Sequence, residues 1–150
     1  MNGFYYDLTR LIERLHRRFL DVLRAELDRL DVIDINPVQC LLLSNIGVEE
    51  INVRNLMDRG YYLGSNVSYN LKKLVEAGYL HQQRSPHDRR STLIKVSQKG
   101  LELCARVAEA EALHAARLAA HDGGRQIEAA CDTLRQLERN WDHRNLPRGG

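Results

Sequence analysis

The segment RSPHDRRSTLIKV, from Arg84 to Val96, concentrates charged side chains just before a stretch with strand character. Three arginines, Arg84, Arg89 and Arg90, stand within seven residues and share that space with one acid, Asp88. Guanidinium groups bind phosphate oxygens and are drawn into the electronegative minor groove of DNA, and neither task needs a nucleophile or a metal. These residue types at this spacing therefore indicate binding to a polyanion.

A second set of polar side chains lies upstream, in the segment NVSYNLKKLVEA and the serine before it. At 100° per residue the apolar side chains of this segment share one arc of a helix, which leaves a polar outer side. That helix would offer two-way hydrogen-bonding groups near its N-terminus, followed by two lysines. A helix of this kind fits the major groove of B-DNA, where polar groups read base edges and lysines reach phosphates. The residues concerned are Ser65, Asn66, Ser68, Tyr69, Asn70, Lys72 and Lys73.

The charge distribution supports the same partner. The 150 residues carry a net charge of +2, but the stretch 54–99 has nine Lys/Arg against three acids and is therefore at +6. The remainder of the chain is at −4. A basic centre between acidic ends is typical of a nucleic-acid-binding module on a scaffold with another task.

The elements that must position these side chains can be read from periodicity and turn signals. The sequence predicts a long helix, a second helix capped by Asn36 and Pro37, a short strand, two short helices, a hairpin and two further helices. Gly78 is expected to end the second of the short helices, and Ser97 to cap the helix after the hairpin. The expected spans are 4–30, 36–47, 50–53, 53–60, 66–77, 79–84 with 92–96, 98–121 and 125–141. The fold class is thus mainly α with a small β-hairpin.

The outer helices carry more apolar surface than a small lobe can bury. The first runs for about 27 residues with a wide apolar stripe, which exceeds the typical globular helix. The last carries a three-four heptad seam formed by Ile127, Ala130, Leu134, Leu137 and Trp141. We therefore expect a homodimer. The predicted domains are an N-terminal dimerisation helix (1–35), a DNA-binding lobe (36–100), C-terminal dimerisation helices (101–144) and a tail (145–150).

The order helix, strand, helix, helix, strand, wing, strand is that of a winged helix-turn-helix. The segment 36–100 resembles the MarR family of bacterial transcription regulators, and the run LVEAGYLHQQRSPHDRRSTLIKVSQKG carries the most specific part of the resemblance. Asp88 and Arg90 match the family's D-x-R wing, and Gly100 matches the glycine that follows it. Ser97 stands where a threonine is usual.

The resemblance implies a function for each part. It implies a dimeric repressor on a pseudo-palindromic operator, with Arg90 in the minor groove. Arg84 and Arg89 would then meet phosphates, and Asp88 would either hold the loop in shape or orient an arginine. The family also implies a small aromatic or amphipathic effector bound between the dimer helices and the lobe. Candidate lining residues are Tyr6, His16, Phe19 and Cys40, which are equally suited to a core or interface.

Other classes of function fit less well. The six histidines show no convincing metal-ligand spacing, the three cysteines form no CxxC pair, and neither a phosphate-binding glycine loop nor a GxSxG motif is present. We expect no enzyme, no cofactor, no metal and no membrane partner, and a cytoplasmic protein. An architectural, sequence-independent DNA binder stays open as the alternative, although it would not need the Ser/Asn/Tyr face.

Overall fold

The computed structural model describes residues 2–58 and 64–142, of which the side chains at positions 64 and 65 are not described. It confirms the predicted class, being mainly helical with a small antiparallel sheet. The described elements, in chain order, are α1 (Asn2–Arg29), α2 (Pro37–Ile46), β1 (Ile51–Asn52), α3 (Val53–Asp58), α4 (Gly64–Glu76), β2 (Leu80–Arg84), β3 (Thr92–Val96), α5 (Gln98–Leu118) and α6 (Arg125–Asn140).

Local capping explains why α2 begins where it does. The Asn36 side chain accepts a hydrogen bond from the Gln39 amide at 2.9 Å, and the Gln39 side chain accepts one from the Asn36 amide at 3.0 Å. This reciprocal capping box, with Pro37 at the first helical position, satisfies amides that would otherwise lack a partner. The predicted cap of α5 is also confirmed, since Ser97 Oγ accepts from the Gly100 amide at 3.2 Å.

The three strands form one antiparallel sheet in the order β1-β3-β2. The predicted hairpin is confirmed, with Leu80 opposite Val96 and Arg84 opposite Thr92. Strand β1 pairs on the other edge of β3, where Ile51 faces Ile94. The sheet places the loop 85–91 at its far end, and this loop is the wing.

The core is an apolar cluster that draws on α1, α2, α3, α4, α5 and the sheet. Leu27, Leu43, Leu56 and Leu74 are each fully buried in it. The end of α1 therefore packs with the lobe, and truncation of any of these leucines to alanine would cost about 2–5 kcal/mol of stability.

The chain forms two compact units, 1–108 and 109–150. The first contains the lobe and α1, while the second contains α6, none of whose side chains is buried. The four-part division predicted from the sequence stays a prediction, and the tail 145–150 lies outside the described residues. No described helix is both long and apolar enough to cross a membrane.

A polar cluster formed by Asp34, Tyr79 and Lys99 lies at the C-terminal end of α4. The buried Tyr79 donates a hydrogen bond from its hydroxyl to Asp34 at 2.8 Å. Lys99 Nζ lies 3.2 Å from the other Asp34 oxygen, donates to the Ala77 carbonyl at 2.8 Å and stands 4.3 Å above the Tyr79 ring. Three distant segments of the chain, around residues 34, 78 and 99, are thereby joined at the C-terminal end of α4.

This cluster leads to a prediction about how the titration of Tyr79, and with it the stability of the protein, depends on pH. Burial, and then the hydrogen bond to Asp34, raise the pKa of Tyr79 from 10.0 to about 12. Because the folded pKa lies above the unfolded one, the stability from the neutral hydroxyl is complete below pH 10 and is lost as the pH rises through about 12. We expect the difference between the tyrosinate absorbance titrations of wild type and Tyr79→Phe to show a midpoint near pH 12. A midpoint near 10 would contradict the Tyr79–Asp34 bond.

Candidate DNA-binding surface

Helix α4 divides its side chains between the core and the outside. Val67, Leu71 and Leu74 are buried and fix the inner face. The outer polar side chains named above, Asn66, Ser68, Tyr69, Lys72 and Lys73, are exposed. Ser65 belongs to the helix, but its side chain lies outside the described residues. Five of the seven side chains that the sequence analysis assigned to this face are therefore exposed.

Two of these outer residues interact with each other on the helix surface. Lys73 Nζ lies 5.6 Å from the centre of the Tyr69 ring and 3.8 Å from a carboxylate oxygen of Glu76. The side chains in both contacts are about half exposed to solvent, so the contacts contribute little to stability. Lys73 could therefore leave them to bind a phosphate. Tyr69 itself is 60% exposed, which leaves its hydroxyl and one ring face available to a base.

Asn70 has a different environment from its neighbours. It is half-buried, and its Oδ1 accepts a hydrogen bond from Nε2 of Gln39 on α2 at 3.2 Å. Gln39 is 5% exposed and is also the capping residue of α2. Asn70 is therefore joined to the interior of the lobe and not only to the outer face.

The wing is held by its own hydrogen bonds. Asp88 Oδ1 accepts from the Arg90 amide at 2.9 Å, and its other oxygen accepts from Ser91 Oγ at 3.2 Å. The Ser91 amide donates to the Asp88 carbonyl at 3.0 Å, and the Ser85 amide donates to the Ser91 carbonyl at 2.9 Å. Of the two roles open for Asp88, these hydrogen bonds support holding the loop in shape.

The wing arginines are uncommitted. Arg84, Arg89 and Arg90 are exposed, and within the described residues none of their guanidinium groups forms an ion pair or a hydrogen bond. An exposed guanidinium without an internal partner can bind phosphate or enter a groove at no cost in broken contacts. Arg90 differs from the other two because it also lines the groove described next.

An open groove of about 620 Å³ separates α4 from the wing. Cations from three elements line it: Arg54 from α3, Lys72 from α4 and Arg90 from the wing. Ser68, Gln82 and the acidic Asp88 are among the other residues that line it. The sequence analysis included Arg54 in the basic stretch 54–99 but gave it no role. Its position in the groove depends on the packing of α3 against the sheet.

The candidate effector residues are spread over the first unit. Tyr6, His16 and Phe19 are exposed on α1, whereas Cys40 is 0% exposed inside the core. At 1.5 Å per residue, Tyr6 lies about 15 Å along the helix from His16. None of the four lines the groove beside α4. In the described ranges 2–58 and 64–142, no three His, Cys, Asp or Glu side chains form a metal-binding group.

Comparison with known proteins shows to which class of protein this chain is similar. Residues 35–100 match the family model of a winged helix DNA-binding domain. A MarR regulator from Methanosarcina mazei Go1 has the same fold, with a TM-score of 0.75, 22% identity and coverage of 90% of this chain and 96% of its own. A mutant MarR from E. coli, solved in complex with operator DNA, matches with a TM-score of 0.68 and 22% identity, over 85% and 93% of the two chains.

A relative in sequence establishes the family. The exopolysaccharide II synthesis transcriptional activator ExpG of Rhizobium meliloti is 44% identical over 138 residues, which cover 91% of this chain and 71% of the relative. The chain belongs to the family of this relative, transcription regulators with a winged helix DNA-binding domain, and it has the fold of the MarR regulators.

Proposed function

We propose that this regulator binds a specific sequence of double-stranded DNA, with α4 in the major groove and the wing in the adjacent minor groove. The observation that carries the proposal is a groove with polar and cationic groups on both of its sides. Ser68 and Lys72 line it from α4 and Arg90 lines it from the wing, while Asn66 and Tyr69 are exposed elsewhere on the same helix. Polar groups on the helix would select bases, and the surrounding cations would hold phosphates.

We further propose that two copies act together on a pseudo-palindrome. The N-terminal part of α1 leaves large apolar side chains in solvent, with Phe4 80%, Leu11 44% and Leu15 57% exposed. Leu134 on α6 is 42% exposed and Trp141, which follows the helix, is 43% exposed, and no side chain of α6 is buried. A second copy of this chain would bury both surfaces and set two α4 helices about one helical turn of DNA apart.

The sign of regulation and the effector belong to the same proposal. The family resemblance implied repression, whereas the 44% identical relative is named an activator, and we propose activation on that basis. A reporter placed behind the selected site measures the sign, and reduced expression would restore the prediction of repression. We propose that a small aromatic or amphipathic acid binding near Tyr6, His16 and Phe19 uses surface from the second copy, because these side chains are exposed on α1 and do not line the groove beside α4.

Selection of bound duplexes from a random pool tests the specific function. We expect a palindromic consensus with half-sites about one helical turn apart, a dimer in sedimentation, and affinity that falls steeply with salt. The logarithm of the association constant should fall against log salt with a slope of about −0.9 per phosphate contacted. Equal affinity for all duplexes would favour the architectural alternative, and a monomer with a single half-site would contradict the dimer.

A further inference from the structure

We infer that Asn70 is a positioning residue of the recognition helix, and that it sets the rotation of α4 about its axis through Gln39. The inference rests on the proposed function, since it concerns how the helix selects bases. Its starting observation is the 3.2 Å hydrogen bond from Gln39 Nε2 to Asn70 Oδ1, which joins residues 31 positions apart.

The orientation of the Gln39 amide is determined by its other partner. Its oxygen accepts from the Asn36 amide at 3.0 Å, so its NH₂ group must be the end that faces Asn70. The oxygen of Asn70 must then face Gln39. The chain of bonds Asn36–Gln39–Asn70 therefore begins on the backbone cap of α2 and ends on α4, and Gln39 is 5% exposed within it.

The remaining contacts of α4 with the lobe do not specify rotation to the same degree. Its inner face packs through Val67, Leu71 and Leu74, and apolar contacts are not directional. The Gln39–Asn70 bond joins α4 directly to α2, and a hydrogen bond is directional. On a wheel of 100° per residue, Asn70 stands about 40° from Leu74, at the edge of the inner face, where a directional bond resists turning.

Small rotations matter at this surface. The outer side chains of a helix lie about 5 Å from its axis, so a rotation of about 10° moves them by about 1 Å. Hydrogen bonds to base edges tolerate less than that, since N–H···O distances fall between about 2.7 and 3.2 Å. Loss of the Gln39–Asn70 bond would therefore reduce discrimination between bases more than it reduces the attraction to phosphates.

A double-variant cycle separates this bond from the cap. Gln39→Glu keeps the oxygen that accepts from the Asn36 amide, and the Asn70 amide can turn to donate to it. Asn70→Asp keeps the oxygen that accepts from Gln39. Only the double variant places two carboxylates together with no donor between them. Each single variant also carries one of the two added charges, so the cycle subtracts the effect of charge on DNA affinity.

The measured quantity is the ratio of affinity for the selected duplex to affinity for a scrambled one, below the melting temperature of every variant. We expect the double variant to lose about tenfold more of this ratio than the combined effects of the two single variants account for. A double variant that melts earlier but keeps the ratio would show a purely structural bond and overturn the inference. A wild type without discrimination would overturn the proposed function as well, and the two failures are thereby distinguished.

Discussion

Arg90→Ala is expected to weaken binding to the selected duplex by about ten- to a hundredfold, the effect of losing a contact worth about 1–3 kcal/mol. The guanidinium of Arg90 is exposed, lines the groove beside α4 and forms no ion pair or hydrogen bond within the described residues, so we expect its removal to leave the protein fold intact. Its only hydrogen bond that fixes the wing uses the backbone amide, which alanine retains. The loss should therefore appear in DNA binding and not in melting temperature.

Arg89→Ala is the matched control, because it removes the same charge one position away. A phosphate contact at Arg89 predicts equal weakening for the selected and scrambled duplexes, and a salt slope smaller by about 1. Arg90→Lys adds a second control, since it keeps the charge without the planar guanidinium that suits a narrow groove. If Arg90→Ala and Arg89→Ala behaved alike on both duplexes, the minor-groove role of Arg90 would be wrong.

Gly100→Ala is expected to lower the free energy of unfolding by about 3 kcal/mol, at the upper end of overpacking effects. A Cβ at this position would stand 2.5 Å from Val96 Cγ1 and 2.6 Å from the carbonyl oxygen of Tyr79. The oxygen belongs to the backbone and accepts a hydrogen bond from the Ser97 amide at 2.9 Å, so it cannot move aside cheaply. The junction between the sheet and α5 would have to open.

Gly3→Ala gives the matched control for the same chemical change in a helix. A Cβ at Gly3 meets nothing within 4 Å, and alanine has the higher helix propensity, so stability should be unchanged or slightly raised. Urea unfolding of both variants measures the difference. An unfolding free energy for Gly100→Ala within about 0.5 kcal/mol of wild type would mean that the junction is looser than its contacts indicate.

The elements were predictable because their signals are local. Asn36 and Pro37 mark the start of α2 within one turn, Gly78 has the positive φ of +83 that a helix-ending glycine favours, and the alternation in TLIKV gives β3 its bounds. The family motif in the wing placed Asp88 and Arg90 on one loop. For these features, the residues that determine the structure lie within a few positions of one another.

The features that escaped prediction join distant residues. Asn70 was grouped with the base-reading side chains, because a sequence does not show that Gln39, 31 positions earlier, faces it. The cluster of Asp34, Tyr79 and Lys99 joins three separate segments, and the spacing of these residues in the sequence does not predict that they are in contact. Cys40 was considered both for a ligand site and for the core, and its packing places it in the core with 0% exposure. Each of these depends on tertiary packing.

The closed wing has a kinetic consequence. Hydrogen bonds of Asp88 and Ser91 already order the loop 85–91. In the proposed complex the wing would therefore bind DNA in a conformation that it already has, and it would lose little conformational entropy on binding. Encounter is then governed by long-range attraction from the basic centre, which is the same for every duplex. Operators of different quality should accordingly differ in how long the complex lasts, with similar association rates and unequal dissociation rates.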